Sequence, residues 1–170
     1  EGVALITEDR KVTGLNLSGT VNDNIAMVAI KKLLTHGLYN KGKARRASEE
    51  YIEKLNIKTP SADQIVGNLS GGNQQKIVIA KWLLNDPDII ILDEPTRGID
   101  VGTKTEIQKL IVQLAGEGKS ILFISSEIEE MLRTCNRMAV LRDGAKVGEL
   151  DGELTQERVM AAIAGGGNDE

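Results

Sequence analysis

The chain has 170 residues, of which 41% are apolar and 2% aromatic, so we expect one domain with a core of Ile, Leu, Val and Ala. A formal charge of −4 without a long basic run argues against nucleic acid as a partner. The single cysteine, Cys135, excludes an internal disulfide, and the longest apolar runs are far shorter than the ~20 residues that span a bilayer.

The first third of the chain predicts one strand followed by helices. The stretch VALIT has the composition of a short buried strand, and the polar turn EDRKVTG follows it. Two apolar stripes between about Thr20 and Lys58 predict helices, with GLYNKG as the link between them. The sequence starts at Glu1 and runs at once into the strand, so we interpret the chain as part of a longer protein.

The segment NLSGGNQQKIVIAKWLL places two adjacent glycines before a predicted helix. Apolar residues from Gln75 onward form the stripe of a helix that packs on a core, and Ser70 is the predicted N-cap. The first turn of a helix carries unpaired N–H groups and a partial positive charge, and glycines let a phosphate approach that backbone. The alternative is a capped helix after a turn, and this segment alone does not separate the two.

Strands and helices alternate in the remainder of the chain. The run DIIILDEPT predicts a central strand buried on both faces, and VGTKTEIQKLIVQLAGEGK predicts an amphipathic helix. SILFISS predicts a second buried strand. This alternation implies an α/β layered fold.

The last part of the chain predicts a helix, a hairpin and a second helix. The spacing of Ser126 and Glu129 predicts a capping box at the first helix. RMAVLRDGAKVGEL predicts a hairpin that turns at Asp143-Gly144. TQERVMAAIA predicts the second helix, and GGGNDE predicts a disordered tail.

Two carboxylates, Asp93 and Glu94, end the predicted central strand. Open α/β sheets bind ligands at the carboxyl ends of their strands. Asp93 could hold Mg²⁺, directly or through water, and Glu94 could orient or deprotonate an attacking water. The alternative is a strand that ends in solvated acids.

The motifs LSGGNQQK, IIILDEP and GID, in this order and spacing, resemble the signature motif, the Walker B strand and the D-loop of the ATPase subunits of ABC transporters. The match covers nearly the whole chain. The segments TEDRKVTGL and DEPTRGIDVGTKTEI resemble sequences of bacterial sugar importers of the ribose and galactose/methyl-galactoside type. In those importers one polypeptide carries two nucleotide-binding domains, and this chain resembles most of the second, C-terminal one.

The resemblance implies a P-loop NTPase-like α/β core with a mainly parallel sheet and an inserted helical subdomain. It implies a first strand and Q-loop-like turn at 1–19 and a helical subdomain at 20–67. It places the signature motif, Walker B, the D-loop, the switch region and the C-terminal strands and helix at 68–165, with a tail at 166–170. The phosphate-loop portion is missing: no GxxxxGK[ST] motif occurs in the 170 residues, and in the family it would lie upstream of Glu1.

The missing portion also affects the expected sheet. In the family, the phosphate-loop strand lies between the strands that correspond to ILFIS and RMAVL. Without that strand, we expect these two either to pair directly with each other or to leave open edges through which the chain dimerises.

The resemblance further implies ATP and Mg²⁺ as cofactors. Two domains of the family sandwich ATP head to tail, so the signature motif of one faces the γ-phosphate held by the other. Glu8 takes the place of the family's glutamine and Ser126 that of its switch histidine, and a serine cannot become a cation. The implied residues are Glu94 and Ser126 for catalysis, Asp93 for the metal, and Ser70, Gly71, Gly72, Asn73, Gln74, Glu8 and Asp100 for the nucleotide.

The partners implied are the other nucleotide-binding domain of the same chain, the membrane permease through the helical subdomain, and indirectly a periplasmic or lipid-anchored sugar-binding protein. The implied location is the cytoplasmic face of the cell membrane. Two functions stay open: an ATP-hydrolysing subunit that energises monosaccharide import, and a noncatalytic regulatory or docking half whose signature motif completes the partner domain's site. A DNA-repair or chromosome ATPase is disfavoured, since no sustained heptads occur between residues 9 and 67.

Overall fold

The computed structural model describes residues 2–165 and divides them into two compact units. The first unit extends to Ile124, and the second begins at Ser125. The predicted tail at 166–170 lies outside the described residues. The division into units does not coincide with the predicted boundaries at 19/20 and 67/68, which stay predictions.

Helices and strands alternate along both units, as the α/β prediction requires. The first unit contains, in chain order, β1 (Val3–Ile6), α1 (Val21–Ala26), β2 (Leu34–Thr35), β3 (Leu38–Tyr39), α2 (Lys41–Lys54), α3 (Gly71–Leu83), β4 (Ile89–Asp93), α4 (Val101–Gly116) and β5 (Ser120–Ile124). A π-helical turn, Arg10–Gly14, and two 3-10 helices, Ile30–Leu33 and Val66–Asn68, lie in its connections. The second unit contains α5 (Ile128–Thr134), β6 (Arg137–Arg142), β7 (Ala145–Asp151) and α6 (Gln156–Gly165).

The main sheet of the first unit is parallel, with the strand order β1-β4-β5. Side chains alternate between its two faces because the period of a strand is two residues. One face is buried and consists of Ala4, Ile6, Ile90, Leu92 and Phe123. The opposite face is 42% to 54% exposed at Val3, Leu5, Ile89, Leu122 and Ile124. The prediction that the central strand, β4, is buried on both faces is therefore wrong, since Ile89 is 42% exposed.

Helices α1, α2 and α3 pack together next to this sheet. Small side chains permit the close approach: Ala26 on α1 and Ala44 on α2 belong to one buried apolar cluster with Ala29 and Leu33. The Tyr51 hydroxyl on α2 donates a hydrogen bond to the Leu83 carbonyl oxygen (2.9 Å) at the end of α3. None of the described helices is both long and apolar enough to cross a bilayer.

The region between Thr20 and Lys58 is less helical than predicted. Helix α1 starts with a capping box of Thr20 and Asp23 but ends at Ala26. The strands β2 and β3 form a short hairpin, and the residues between them, His36 and Gly37, have φ values of 50° and 82°. Two residues with positive φ join antiparallel strands in a tight turn. The predicted continuous helix is therefore interrupted, and the predicted link includes a strand.

The second unit is built around the predicted hairpin. Strands β6 and β7 pair antiparallel, and the turn residues Asp143 and Gly144 both have positive φ, 52° and 77°. Met138 and Val140 on β6 form an apolar cluster with Val159 on α6. Strands β5 and β6 belong to different sheets. The predicted direct pairing of ILFIS with RMAVL is therefore wrong for the described residues.

Candidate functional site

The first turn of α3 begins at the protein surface and contains hydrogen-bond donors without a partner inside the helix. Ser70 is the N-cap, as predicted, and it is exposed at the protein surface. Its Oγ accepts hydrogen bonds from the backbone N–H of Asn73 (3.4 Å) and from the Asn73 side-chain amide (2.9 Å). Both bonds use acceptor capacity, so the hydroxyl proton of Ser70 remains available to donate. The N–H groups of Gly71 and Gly72 have no acceptor within the helix, because they precede its first complete turn.

Asn73 holds the same turn at the surface and Gln74 from inside the protein. The Asn73 Oδ1 accepts a hydrogen bond from the Lys58 N–H (2.8 Å). Gln74 is 5% exposed, and its Nε2 donates to the carbonyl oxygens of Val66 (3.2 Å) and Leu69 (3.1 Å). Contact of Gln74 with a nucleotide would require this amide to leave both carbonyl groups. No pattern in the local sequence indicates this supporting role.

The beginnings of α3 and α4 lie against each other. A Cβ built on Gly72 would lie 2.6 Å from Thr103 Cγ2 and 2.7 Å from Thr103 Oγ1. Asp100 is the N-cap of α4, and it accepts hydrogen bonds from the N–H (3.0 Å) and the hydroxyl (2.8 Å) of Thr103. These two bonds, that to the N–H foremost, lower the pKa of Asp100 below its ordinary value. The structure therefore brings the predicted signature and D-loop residues together.

Asp93 and Glu94 end the central strand, as predicted. Asp93 is half-buried and pairs in register with Ile124, so it shares the exposed face of the sheet. Glu94 has a φ of 46°, a conformation that costs a residue other than glycine about 1 to 3 kcal/mol. Its N–H donates to the Ile124 carbonyl oxygen (2.9 Å), and its carbonyl oxygen accepts from the Arg97 N–H (3.1 Å). Backbone strain of this kind is concentrated at functional sites.

Glu8 lies in the turn after β1, where it forms an ion pair with Arg97. A cavity of about 210 Å³ is lined by Glu8, Asp9, Arg10, Lys11 and Arg97. The Glu8 and Arg97 side chains are 46% and 67% exposed, so solvent weakens the pair. Glu8 is therefore connected to the loop that precedes Asp100. The contacts of Arg10 and Arg97 were not predicted. In a turn rich in charged residues, the sequence does not show which side chains form contacts and which face water.

Ser126 belongs to the second unit and is exposed. Helix α5 begins at Ile128 with Glu127 at the N-cap position and without a side-chain capping bond. The Oγ of Ser125, one residue earlier, accepts the hydrogen bond of the Glu127 N–H (3.0 Å). The predicted capping box of Ser126 and Glu129 is therefore wrong.

The described residues contain no cluster of three or more His, Cys, Asp or Glu side chains able to hold a metal ion by themselves. Mg²⁺ commonly binds one or two carboxylates and completes its shell with phosphate oxygens and water. The single carboxylate of Asp93, on an exposed sheet face, fits that second pattern and not an all-protein metal cage.

Comparison with known proteins agrees with this geometry. The family model described as ABC transporter matches residues 2–97. The chain is 50% identical over 165 residues to a Geobacillus kaustophilus protein named for ribose/galactose/methyl galactoside import ATP-binding, covering 96% of the chain and 33% of that protein. It is 46% identical to the ribose import ATP-binding protein of Lactococcus lactis, covering 98% of the chain and 34% of that protein. The chain thus spans about a third of the length of these relatives.

Solved structures show the same fold. A dimeric ATP-binding cassette bound to ADP and Pi matches with a TM-score of 0.74 and 25% identity, over 89% of this chain and 63% of that one. The ADP conformation of another ATP-binding cassette matches with a TM-score of 0.71 and 21% identity, over 96% of this chain and 68% of that one. The fold, the order of the motifs and the matched family model lead to one conclusion: the chain belongs to the ABC transporter family.

Proposed function

We propose that the chain is part of the C-terminal nucleotide-binding domain of an ATP-hydrolysing subunit that energises the import of a monosaccharide. The relatives at 46% to 50% identity carry names of sugar import ATP-binding proteins, and they are about three times as long. In this proposal the chain functions within a protein of that kind, called the full-length protein below.

The observation that carries the proposal is the start of α3. Ser70 offers a hydroxyl proton, and Gly71 and Gly72 offer N–H groups, at a helix end that is partially positive and reached by solvent at Ser70. Such donors suit a phosphate that arrives from outside the domain. We therefore assign them to ATP held mainly by the other nucleotide-binding domain of the same polypeptide. Asn73 and Gln74 keep this turn in shape, and Asp100 does so from the start of α4.

Asp93 and Glu94 would act on the nucleotide at the domain's own site. When bound there, Mg²⁺ would neutralise charge on the phosphate oxygens, and Asp93 would hold it directly or through water. Glu94 would accept the proton of the attacking water. Glu8 and Ser126 would complete this site in place of the glutamine and histidine usual in the family.

The proposed partners follow from the same assignment. The segment 20–67 would dock on a membrane permease at the cytoplasmic face of the cell membrane. A periplasmic or lipid-anchored sugar-binding protein would deliver the sugar to that permease. These partners, like the choice of sugar, belong to the full-length protein and its complex.

A second candidate function is a noncatalytic half that only completes the partner domain's ATP site. The ion pair of Glu8 with Arg97 favours this second function. The pair engages the Glu8 carboxylate, which hydrolysis at the domain's own ATP site would need. Ser126 also favours it, since a neutral hydroxyl stabilises developing phosphate charge less well than an imidazolium.

Substitution of Glu94 by Gln in the full-length protein separates the two functions. We expect the rate of ATP hydrolysis to fall about 10²- to 10⁴-fold if Glu94 is the general base. The matched control is Glu157→Gln, which removes an exposed carboxylate at the start of α6. An unchanged rate in Glu94→Gln, combined with a large loss in Ser70→Ala, would support the noncatalytic half. Absence of ATP binding in the full-length protein would refute both.

A further inference from the structure

Arg10 lies in a turn whose backbone is fixed by local hydrogen bonds. The Asp9 carboxylate accepts hydrogen bonds from the N–H groups of Lys11 (3.0 Å) and Val12 (3.1 Å). The Asp9 carbonyl oxygen accepts one from the Thr13 hydroxyl (2.8 Å). Bonds of this type stabilise turns in place of helix or sheet pairing. The direction in which the Arg10 side chain leaves the backbone is therefore set by the turn.

The Arg10 guanidinium contacts two other segments of the candidate site. Its Nη1 donates a hydrogen bond to the carbonyl oxygen of Arg97 (3.2 Å). Its Nη2 would lie 2.7 Å from a Cβ built on Gly71, and the same Cβ would lie 3.7 Å from the Gly98 carbonyl oxygen. One side chain thus connects the turn after β1, the loop after β4 and the first residue of α3. Glycine at position 71 leaves the space for this contact.

The position of the Arg10 side chain carries a cost in folding free energy. Its Nε is buried and has no hydrogen-bond partner among the described residues. A buried donor without a partner destabilises the folded state, because it has lost its hydrogen bonds to water. An arginine that served only as a solvated surface charge would turn this group to water, so the contacts of the guanidinium must offset the loss.

A second connection supports the first. Arg97, whose carbonyl oxygen accepts the bond from Arg10, forms an ion pair with Glu8 through its own guanidinium. The turn at residues 8–10 and the loop at residue 97 are therefore tied at two points. The connection to Gly71 attaches the start of α3 to the same assembly.

We propose that Arg10 is a positioning residue that fixes the first turn of α3 against the loop 97–100. This inference rests on the proposed function, in which the donors of Ser70 and Gly71 meet a phosphate held by another domain. A displacement of about 1 Å in such donors can cost about 100-fold in rate. Arg10 therefore acts on hydrolysis through the position of α3, without touching the nucleotide.

Kinetics of the full-length protein test the role of Arg10. We expect Arg10→Ala to lower kcat about 10- to 100-fold and to leave the KM for ATP within about 3-fold, since the donors act mainly on the charge that develops in the transition state. Arg10→Lys should recover little, because an ammonium does not reproduce the planar fork of the guanidinium. Lys11→Ala, which changes an exposed neighbour in the same turn, is the control. An unchanged kcat in Arg10→Ala would overturn the proposal.

A double-mutant cycle with Gly71 tests the contact itself. Gly71→Ala should displace the guanidinium in the parent protein, whereas in the Arg10→Ala background the new methyl group meets no guanidinium. We therefore expect Gly71→Ala to cost at least about 5-fold less in kcat in that background, as for residues in direct contact. Equal costs in both backgrounds would contradict the proposal.

Amide hydrogen exchange separates this inference from the proposed function. Without nucleotide, Arg10→Ala should speed exchange at Asn73 and Gln74 about 10-fold or more relative to Lys11→Ala, because local opening of α3 becomes easier. Unchanged exchange would overturn the role of Arg10 even in an active ATPase. A full-length protein without ATPase activity would refute the proposed function, and the exchange rates would still decide whether Arg10 positions α3.

Discussion

Gly72, in the first turn of α3, lies so close to Thr103 of α4 that a Cβ at position 72 would be 2.6 Å from the Thr103 Cγ2. Thr103 is β-branched and is held by two hydrogen bonds to Asp100, so it has little freedom to move aside. The glycine is therefore required by packing between two helices, independently of any role toward a phosphate.

Substitution of Gly72 by Ala should lower the stability of the full-length protein. Overpacking of this kind typically costs about 1 to 3 kcal/mol, which we expect as a lower melting temperature. The control is Gly116→Ala, at an exposed position near the end of α4 where no atom lies within 4 Å of the new Cβ. That change should be neutral or stabilising by up to about 1 kcal/mol. Equal melting temperatures for the two variants would show that α3 and α4 can separate without loss.

Replacement of Ser70 by Ala should affect ATP hydrolysis much more than stability. Loss of an N-cap costs about 1 kcal/mol, whereas loss of a preorganised donor to transition-state charge costs about 3 to 4 kcal/mol. Thr20→Ala is a matched control, because it removes the N-cap of α1 and its capping box. We expect both variants to lower the melting temperature by similar amounts. Only Ser70→Ala should also lower the basal ATPase rate, by about 100-fold or more. Similar rates in the two variants would leave Ser70 with a capping role alone.

Acid should weaken the start of α4 through Asp100. The hydrogen bonds from Thr103 lower the pKa of Asp100 in the folded state. A lowered pKa contributes stability above the unfolded value of about 3.9, and this contribution is lost as the pH falls through the folded-state pKa. In Asp100→Asn, the side-chain oxygen still accepts the N–H bond but does not titrate. Exchange of the Thr103 amide, measured from about pH 5 downward, should therefore rise more steeply in the parent protein than in Asp100→Asn. Parallel pH profiles would exclude Asp100 as the titrating group.

The 170-residue chain alone should bind ATP weakly. It contains no GxxxxGK[ST] motif, and in the family that loop and its lysine supply much of the grip on the phosphates. Calorimetric titration of the chain with ATP and Mg²⁺ measures this directly. A dissociation constant of a few micromolar corresponds to a binding free energy of about −7 to −8 kcal/mol. Such a value would contradict the prediction, because the chain would then hold the nucleotide without the phosphate loop.

Sequence patterns predicted the central features because each has a local cause. Ser70 before two glycines predicted the N-cap of α3, and Asp143-Gly144 predicted the hairpin of the second unit. Both features depend on the backbone preferences of neighbouring residues. The prediction failed where the surroundings decide: an apolar run such as Ile89–Leu92 does not reveal whether one or both of its faces are covered.

The hairpin at Leu34–Tyr39 was missed for a different reason. Its turn contains His36 and Gly37, both with positive φ, and the glycine is a residue that commonly indicates a turn. The apolar stripe around these residues nevertheless favoured a helix. The contacts of Arg10 could not be predicted in principle from a single sequence. Its partners, Gly71 and Arg97, lie more than 60 residues away along the chain, and only the folded sheet brings them together.

The exposed face of the sheet determines how the isolated chain must be handled. Val3 and Leu5 on β1, Ile89 on the neighbouring β4 and Leu122 on β5 are each 42% to 54% exposed on one face of the sheet, and exposed apolar surface of this kind promotes self-association. Polar replacements at these positions would improve behaviour in concentrated solution. They would leave the core untouched, because Ala4 and Phe123 point to the opposite face. Polar replacements for work with this chain at high concentration thus belong on one face of the three strands.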